Sequence, residues 1–88
     1  MIDSKSVVDA LNSALLSVCE SLTESQIATI KEYIYVGEWG LALETLCSFL
    51  YEEDVNISHK SYKLIEQAGE RLTIDNNTWK ILESQIKV

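Results

Sequence analysis

Residues 23–52, TESQIATIKEYIYVGEWGLALETLCSFLYE, decide the fold. Thr23-Glu24-Ser25-Gln26 has the Ser/Thr-x-x-Glu/Gln form of a capping box, in which two otherwise orphaned amides at a helix start are satisfied reciprocally. Ile27, Ile30 and Ile34 then recur at helical spacing and make an inner stripe. Gly37 supplies the left-handed residue that ends this helix. A second amphipathic segment runs from about Glu38 to Glu52. At about 100° per residue, Trp39, Leu43, Leu46 and Leu50 fall together and are expected to face a core, with Cys47 at the edge of the stripe. Two helices joined by a short glycine turn predict an all-α fold.

The same periodicity extends outward. Val7, Val8, Leu11, Ala14, Leu15 and Val18 align over about Lys5 to Glu20, with Ser4 as the expected N-cap. Asp54 to Ile57 reads as a connector. Ser58 is expected to cap a further helix with Tyr62, Ile65, Gly69 and Leu72 on one face. Residues 73–77, Thr-Ile-Asp-Asn-Asn, favour a turn because their short polar side chains bond nearby backbone. A last helix is expected over about Thr78 to Lys87, presenting Trp79, Leu82 and Ile86. No strand-like alternation, internal repeat or linker interrupts this pattern. The chain has 88 residues, no proline and three glycines, and 47% of it is apolar. Those numbers suit one domain, 1–88, folded as a small bundle of four to five amphipathic helices.

Charge is distributed unevenly. Glu32, Glu38, Glu44, Glu52, Glu53 and Asp54 fall between residues 32 and 59, where there is no lysine or arginine. That window carries −6 of a net charge of −7. An acidic surface repels phosphates and attracts basic partners, which argues against nucleic-acid binding. The face of the Glu38–Glu52 helix opposite its stripe holds Glu38, Leu41, Glu44, Thr45, Ser48, Tyr51 and Glu52. Carboxylates mixed with a leucine and a tyrosine make it a candidate interface. Tyr35 points away from the isoleucine stripe and lies next to this face in sequence. The candidate partner-binding residues are therefore Tyr35, Glu38, Leu41, Glu44, Tyr51, Glu52, Glu53 and Asp54. By contrast, Lys60, Lys63, Glu66, Gln67, Glu70 and Arg71 form a charge-balanced outer face on the Ser58-capped helix and read as simply solvated.

Motifs of catalysis are missing from the sequence. One histidine, His59, follows the Ser58 cap and reads as a surface residue. No Cys/His set has zinc-ligand spacing, and Gly37 and Gly40 fit no phosphate-binding loop. Asp54-Val55-Asn56 begins like a calcium loop but lacks its glycine and its later bidentate glutamate. The expectation is no enzyme, no metal, no cofactor and no small-molecule substrate. No apolar run is long enough to span a bilayer, and the start Met1-Ile2-Asp3-Ser4-Lys5 does not read as a secretory signal. Cys19 and Cys47 near apolar faces read as buried free thiols, and a cytoplasmic location is expected.

The run Val36-Gly37-Glu38-Trp39-Gly40-Leu41-Ala42-Leu43-Glu44-Thr45-Leu46, then Leu50-Tyr51-Glu52-Glu53 and the later Trp79-Lys80-Ile81-Leu82, resembles small immunity proteins of bacterial polymorphic toxin and contact-dependent growth-inhibition systems, the MafI-like group. The resemblance spans roughly Ile27 to Leu82. It implies a cytoplasmic protein that binds and blocks one cognate toxin domain, often a ribonuclease. A helical protein–protein adaptor or regulatory subunit is the competing expectation.

Overall fold

The computed structural model describes residues 4–87. Its five α-helices are α1 (Ser4–Val18), α2 (Glu24–Tyr35), α3 (Trp39–Glu52), α4 (His59–Arg71) and the single turn α5 (Asn77–Lys80), with 3-10 turns at Cys19–Ser21 and Glu83–Gln85. The fold is a small all-α bundle, as the periodicity predicts. The expected signal-free start at Met1-Ile2-Asp3 lies outside the described residues.

The capping signals act as read. Thr23 Oγ1 accepts the Gln26 amide at 3.0 Å, and Gln26 Oε1 accepts the Thr23 amide at 3.0 Å. Ser58 Oγ accepts the Ser61 amide at 3.0 Å and starts α4. Ser4 is the exception: it already lies inside α1, so it does not cap that helix from outside. α1 also stops at Val18, and the expected run to Glu20 tightens into the 3-10 turn.

Three helices end in the same way. At each end the chain enters the left-handed region for one residue, and two backbone amides fold back onto the last turn. After α2 that residue is Gly37 (φ 82°), with Gly37 N–H donating to Ile34 O and Glu38 N–H to Tyr33 O at 2.8 Å. After α3 it is Asp54 (φ 51°), with Asp54 N–H bonding Tyr51 O and Val55 N–H bonding Leu50 O. After α4 it is Thr73 (φ 58°), with Thr73 N–H bonding Glu70 O and Ile74 N–H bonding Gly69 O. This is the Schellman pattern, which satisfies carbonyls the helix leaves orphaned. Glycine enters the left-handed region freely, aspartate tolerates it, and β-branched threonine does so at a strain.

α1 packs chiefly on α4, α2 packs on α3, and α1 also meets α3. Their apolar stripes meet in one cluster that includes Val7, Leu11, Leu15, Ile30, Ile34, Leu43, Leu46, Leu50, Ile65, Trp79 and Leu82. Ala42 and Cys47 join it fully, so the core face of α3 is wider than the four-residue stripe predicts. Trp39 reaches the core only from its edge. It is half-buried, and its indole Nε1–H donates to Ile34 O at 3.2 Å, stapling the start of α3 to the end of α2. Val8 and Ile27 are likewise half-buried.

The C-terminal segment differs most from expectation. No helix runs from Thr78 to Lys87. α5 is one turn long, and Ile86 instead pairs with Ile57 as a parallel bridge, Ile57 N–H donating to Gln85 O (2.9 Å) and Lys87 N–H to Ile57 O (2.7 Å). The side chain of Gln85 explains the change. It is buried, and its Nε2 donates to Leu50 O and Val55 O, both at 2.9 Å, which ties the tail to the end of α3. An isolated helix of ten residues is marginal, so these long-range bonds win. Trp79 and Leu82 still reach the core. Gly69 on α4 lies directly against the Trp79 indole, where a Cβ would collide with the six-membered ring. The Trp79 Nε1–H is buried without a hydrogen-bond partner, so ring packing holds this side chain.

Candidate partner-binding surface

Each candidate residue is exposed. The positions on α3 follow from its core stripe. Ala42, Leu43, Leu46, Cys47 and Leu50 turn inward, so Leu41, Glu44, Ser48, Tyr51 and Glu52 occupy the outward side, each three or four residues from the next along the helix or beside it. Leu41 is 41% exposed and Tyr51 53% exposed. Fourteen residues of helix at about 1.5 Å each give this face a length of roughly 20 Å.

The two ends of the face are built differently. At its start, Glu38 is the N-cap residue of α3 but makes no side-chain cap bond, so its carboxylate is left to solvent or a partner. The helix itself begins at Trp39. At the other end, Glu52 closes α3, Glu53 is its C-cap and Asp54 takes the left-handed position beyond it. These three carboxylates stand where the helix dipole is negative, and no basic residue occupies the last turn. Such placement is unfavourable by a few tenths of a kcal/mol per charge. The Gln85 clamp on Leu50 O and Val55 O fixes the backbone beneath this acidic turn.

Tyr35 is not on the α3 face. It closes α2 across the Gly37 turn and is 90% exposed, beside Val36 at 58%. Val36 escaped the sequence reading because it falls in the cap after the periodic isoleucines. The usable signal was its place between the last helical residue and the glycine, where no stripe can bury it. Leu16 was also missed. It is 73% exposed on α1, off the Val7–Leu11–Ala14–Leu15–Val18 stripe, and rims a groove of about 370 Å³ shared with Cys19 and Ile27. Neither that groove nor another of about 410 Å³ between α1 and α4 is lined by a residue of α3.

Cys47 lies beneath the acidic face. Burial, and then the nearby Glu44 carboxylate, push its thiol from an ordinary 9.0 up to about 12. It is an inert core thiol. Cys19, by contrast, is only half-buried, which corrects the expectation that both thiols are covered; both are free. On α4, Lys63 Nζ pairs with Glu66 Oε1 at 3.2 Å, in keeping with a self-compensating solvated face. Among the described residues no group of three or more His, Cys, Asp or Glu side chains is arranged to hold a metal ion, and no helix is long and apolar enough to cross a membrane.

The surface is a helical strip with carboxylates at both ends and Leu41, Glu44, Ser48 and Tyr51 exposed between them. Set against known proteins, the chain matches no family model, no curated protein and no solved structure.

Proposed function

We propose that this chain is an immunity protein that binds a cognate bacterial toxin domain, a basic ribonuclease, and neutralises it through the outward face of α3 and the turns at its two ends. The observation that carries this reading is the combination of exposed Leu41, Glu44, Tyr51 and Glu52 on one helical face with the absence of any lysine or arginine between residues 32 and 59. A ribonuclease must attract RNA phosphates, so its working surface is basic. An acidic protein complements that surface, associates quickly and competes with substrate. The resemblance of the Val36–Leu46 run to MafI-like immunity proteins supports the same reading. The protein would act in the cytoplasm, by occupancy rather than by catalysis.

The test is co-expression with the toxin domain encoded by the neighbouring gene. Growth should be restored, and the two chains should co-purify. Continued toxicity at matched expression, with no complex, would refute the proposal and favour an adaptor role with a different basic partner.

A further inference from the structure

Resting on that reading, we propose that the corner between α2 and α3 is the apolar anchor of the interface: Tyr35 and Val36, with Leu41 in the first turn of α3, seat in an apolar pocket of the partner protein whose rim carries lysine or arginine.

Tyr35 and Val36 stand mostly in solvent, and Leu41 is 41% exposed. Ile30 and Ile34 already bury the inner side of α2, and Tyr35 and Val36 lie beyond that stripe in solvent. A single exposed apolar residue is ordinary, but adjacent exposed residues with an aromatic at a helix end form a distinct feature. The corner that carries them is stiff. Gly37 N–H bonds Ile34 O, Glu38 N–H bonds Tyr33 O, and the Trp39 indole Nε1–H bonds Ile34 O. Ile34 is itself buried, so the two bonds to its carbonyl tie the corner to the core, and the third holds it to half-buried Tyr33. A rigid anchor gives up little conformational freedom on binding, and interface energy concentrates in such preorganised aromatic and apolar side chains.

Charge selects the occupant. Glu32 and Glu38 flank the pair along the chain, and the acidic face of α3 continues from Leu41. Lys31, one helical turn before Tyr35, marks the edge of the acidic surface, and the next cation is Lys60. A second copy of this chain would bring another −7 to the contact and is disfavoured. A basic domain meets no such repulsion. The carboxylates would then steer the encounter, whereas the corner would hold the complex together.

The test measures binding kinetics of the purified toxin domain from the neighbouring gene to the full chain and to three variants. Tyr35→Ala combined with Val36→Ser should raise the dissociation rate by about 30-fold or more, the range for loss of an interface hot spot, with association changed less than about threefold. Leu16→Ser, at an equally exposed apolar position on α1, should leave both rates unchanged. The quadruple change Glu44→Gln, Glu52→Gln, Glu53→Gln and Asp54→Asn should act mainly on association and its salt dependence. Circular dichroism checks that each variant is folded. If the wild-type chain binds and the Tyr35/Val36 variant dissociates within threefold of it, or if Leu16→Ser weakens binding equally, the anchor is refuted while the immunity reading stands. If the wild-type chain does not bind at all, the immunity reading falls and the anchor falls with it.

Discussion

Replacing Gln85 by alanine should unfold the protein more readily than its place near the end of the chain, outside the four long helices, suggests. In the native state its amide donates two buried hydrogen bonds of 2.9 Å, to the carbonyls of Leu50 and Val55. Leu50 O keeps the Val55 amide, so the loss there is the net worth of one bond, about 0.5–1.5 kcal/mol. Val55 O loses its side-chain donor, and leaving such an acceptor unsatisfied costs about 1–3 kcal/mol. A central figure is about 2–3 kcal/mol, which for a domain of this size lowers the thermal midpoint by roughly 8–24 °C. Urea unfolding followed by circular dichroism measures it, and amide exchange at Ile57 and Lys87 should quicken because their bonds sit on the same tail. Gln85→Glu separates the bonds from mere bulk. An ionised carboxylate facing two carbonyls cannot donate, whereas the protonated acid donates one bond. Its folded pKa is therefore raised. The stability it contributes is present below the unfolded value, about 4.3, and is lost as pH rises through the folded value. Gln85→Glu should thus recover, relative to Gln85→Ala, as pH falls towards about 4. A Gln85→Ala change within about 0.5 kcal/mol of wild type, the ordinary range for an inconsequential surface substitution, would show that the clamp does not hold the tail.

Gly69→Ala should be destabilising by more than about 1–3 kcal/mol, the usual scale for overpacking, because the new methyl meets the rigid Trp79 ring rather than a flexible side chain; loss of near-ultraviolet tryptophan dichroism would report the same displacement. Thr73→Gly should stabilise by about 0.5–1 kcal/mol in urea titrations, since it relieves a β-branched residue at φ 58° while leaving the Schellman bonds to the backbone. In native labelling, half-buried Cys19 should react well before Cys47, whose thiol, pushed up to about 12, is almost wholly protonated at neutral pH. The contribution of Cys47 to stability should be constant below about pH 9 and then fall as the unfolded chain ionises there while the folded chain keeps the proton up to about 12; Tyr62, raised from 10.0 to about 12, adds a decline of the same sign, so Cys47→Ala should lessen the loss above about pH 9 without abolishing it.

Local signals carried most of the fold. Thr23 with Gln26, Gly37, and Ser58 act within three or four residues, so their spacing alone predicts where α2 and α4 start and where α2 stops. The core stripes of α1 and α3 follow from the helical period, and the outward position of Leu41, Glu44, Tyr51 and Glu52 follows by subtraction. The last ten residues defeat this kind of reading. Trp79, Leu82 and Ile86 have helical spacing, yet Gln85 finds its partners 35 and 30 residues away, and no local period reports such a bond. The breaks at Asp54 and Thr73 were legible, but their left-handed conformation was not. They take left-handed helix ends, closed by the same backbone bonds as at Gly37, that sequence would assign to glycine. Val36 was missed because a cap residue has no stripe.

The proposed acidic binding face of α3 is tested most directly by calorimetric titration of the proposed partner, a purified basic toxin domain, into wild type, Glu44→Lys/Glu52→Lys, and Lys63→Glu/Glu70→Lys on the solvated face of α4. The α3 variant should bind at least about 30-fold more weakly while remaining folded, and the α4 variant should bind within about threefold of wild type. Tight binding by the α3 variant together with loss of binding by the α4 variant would contradict the account.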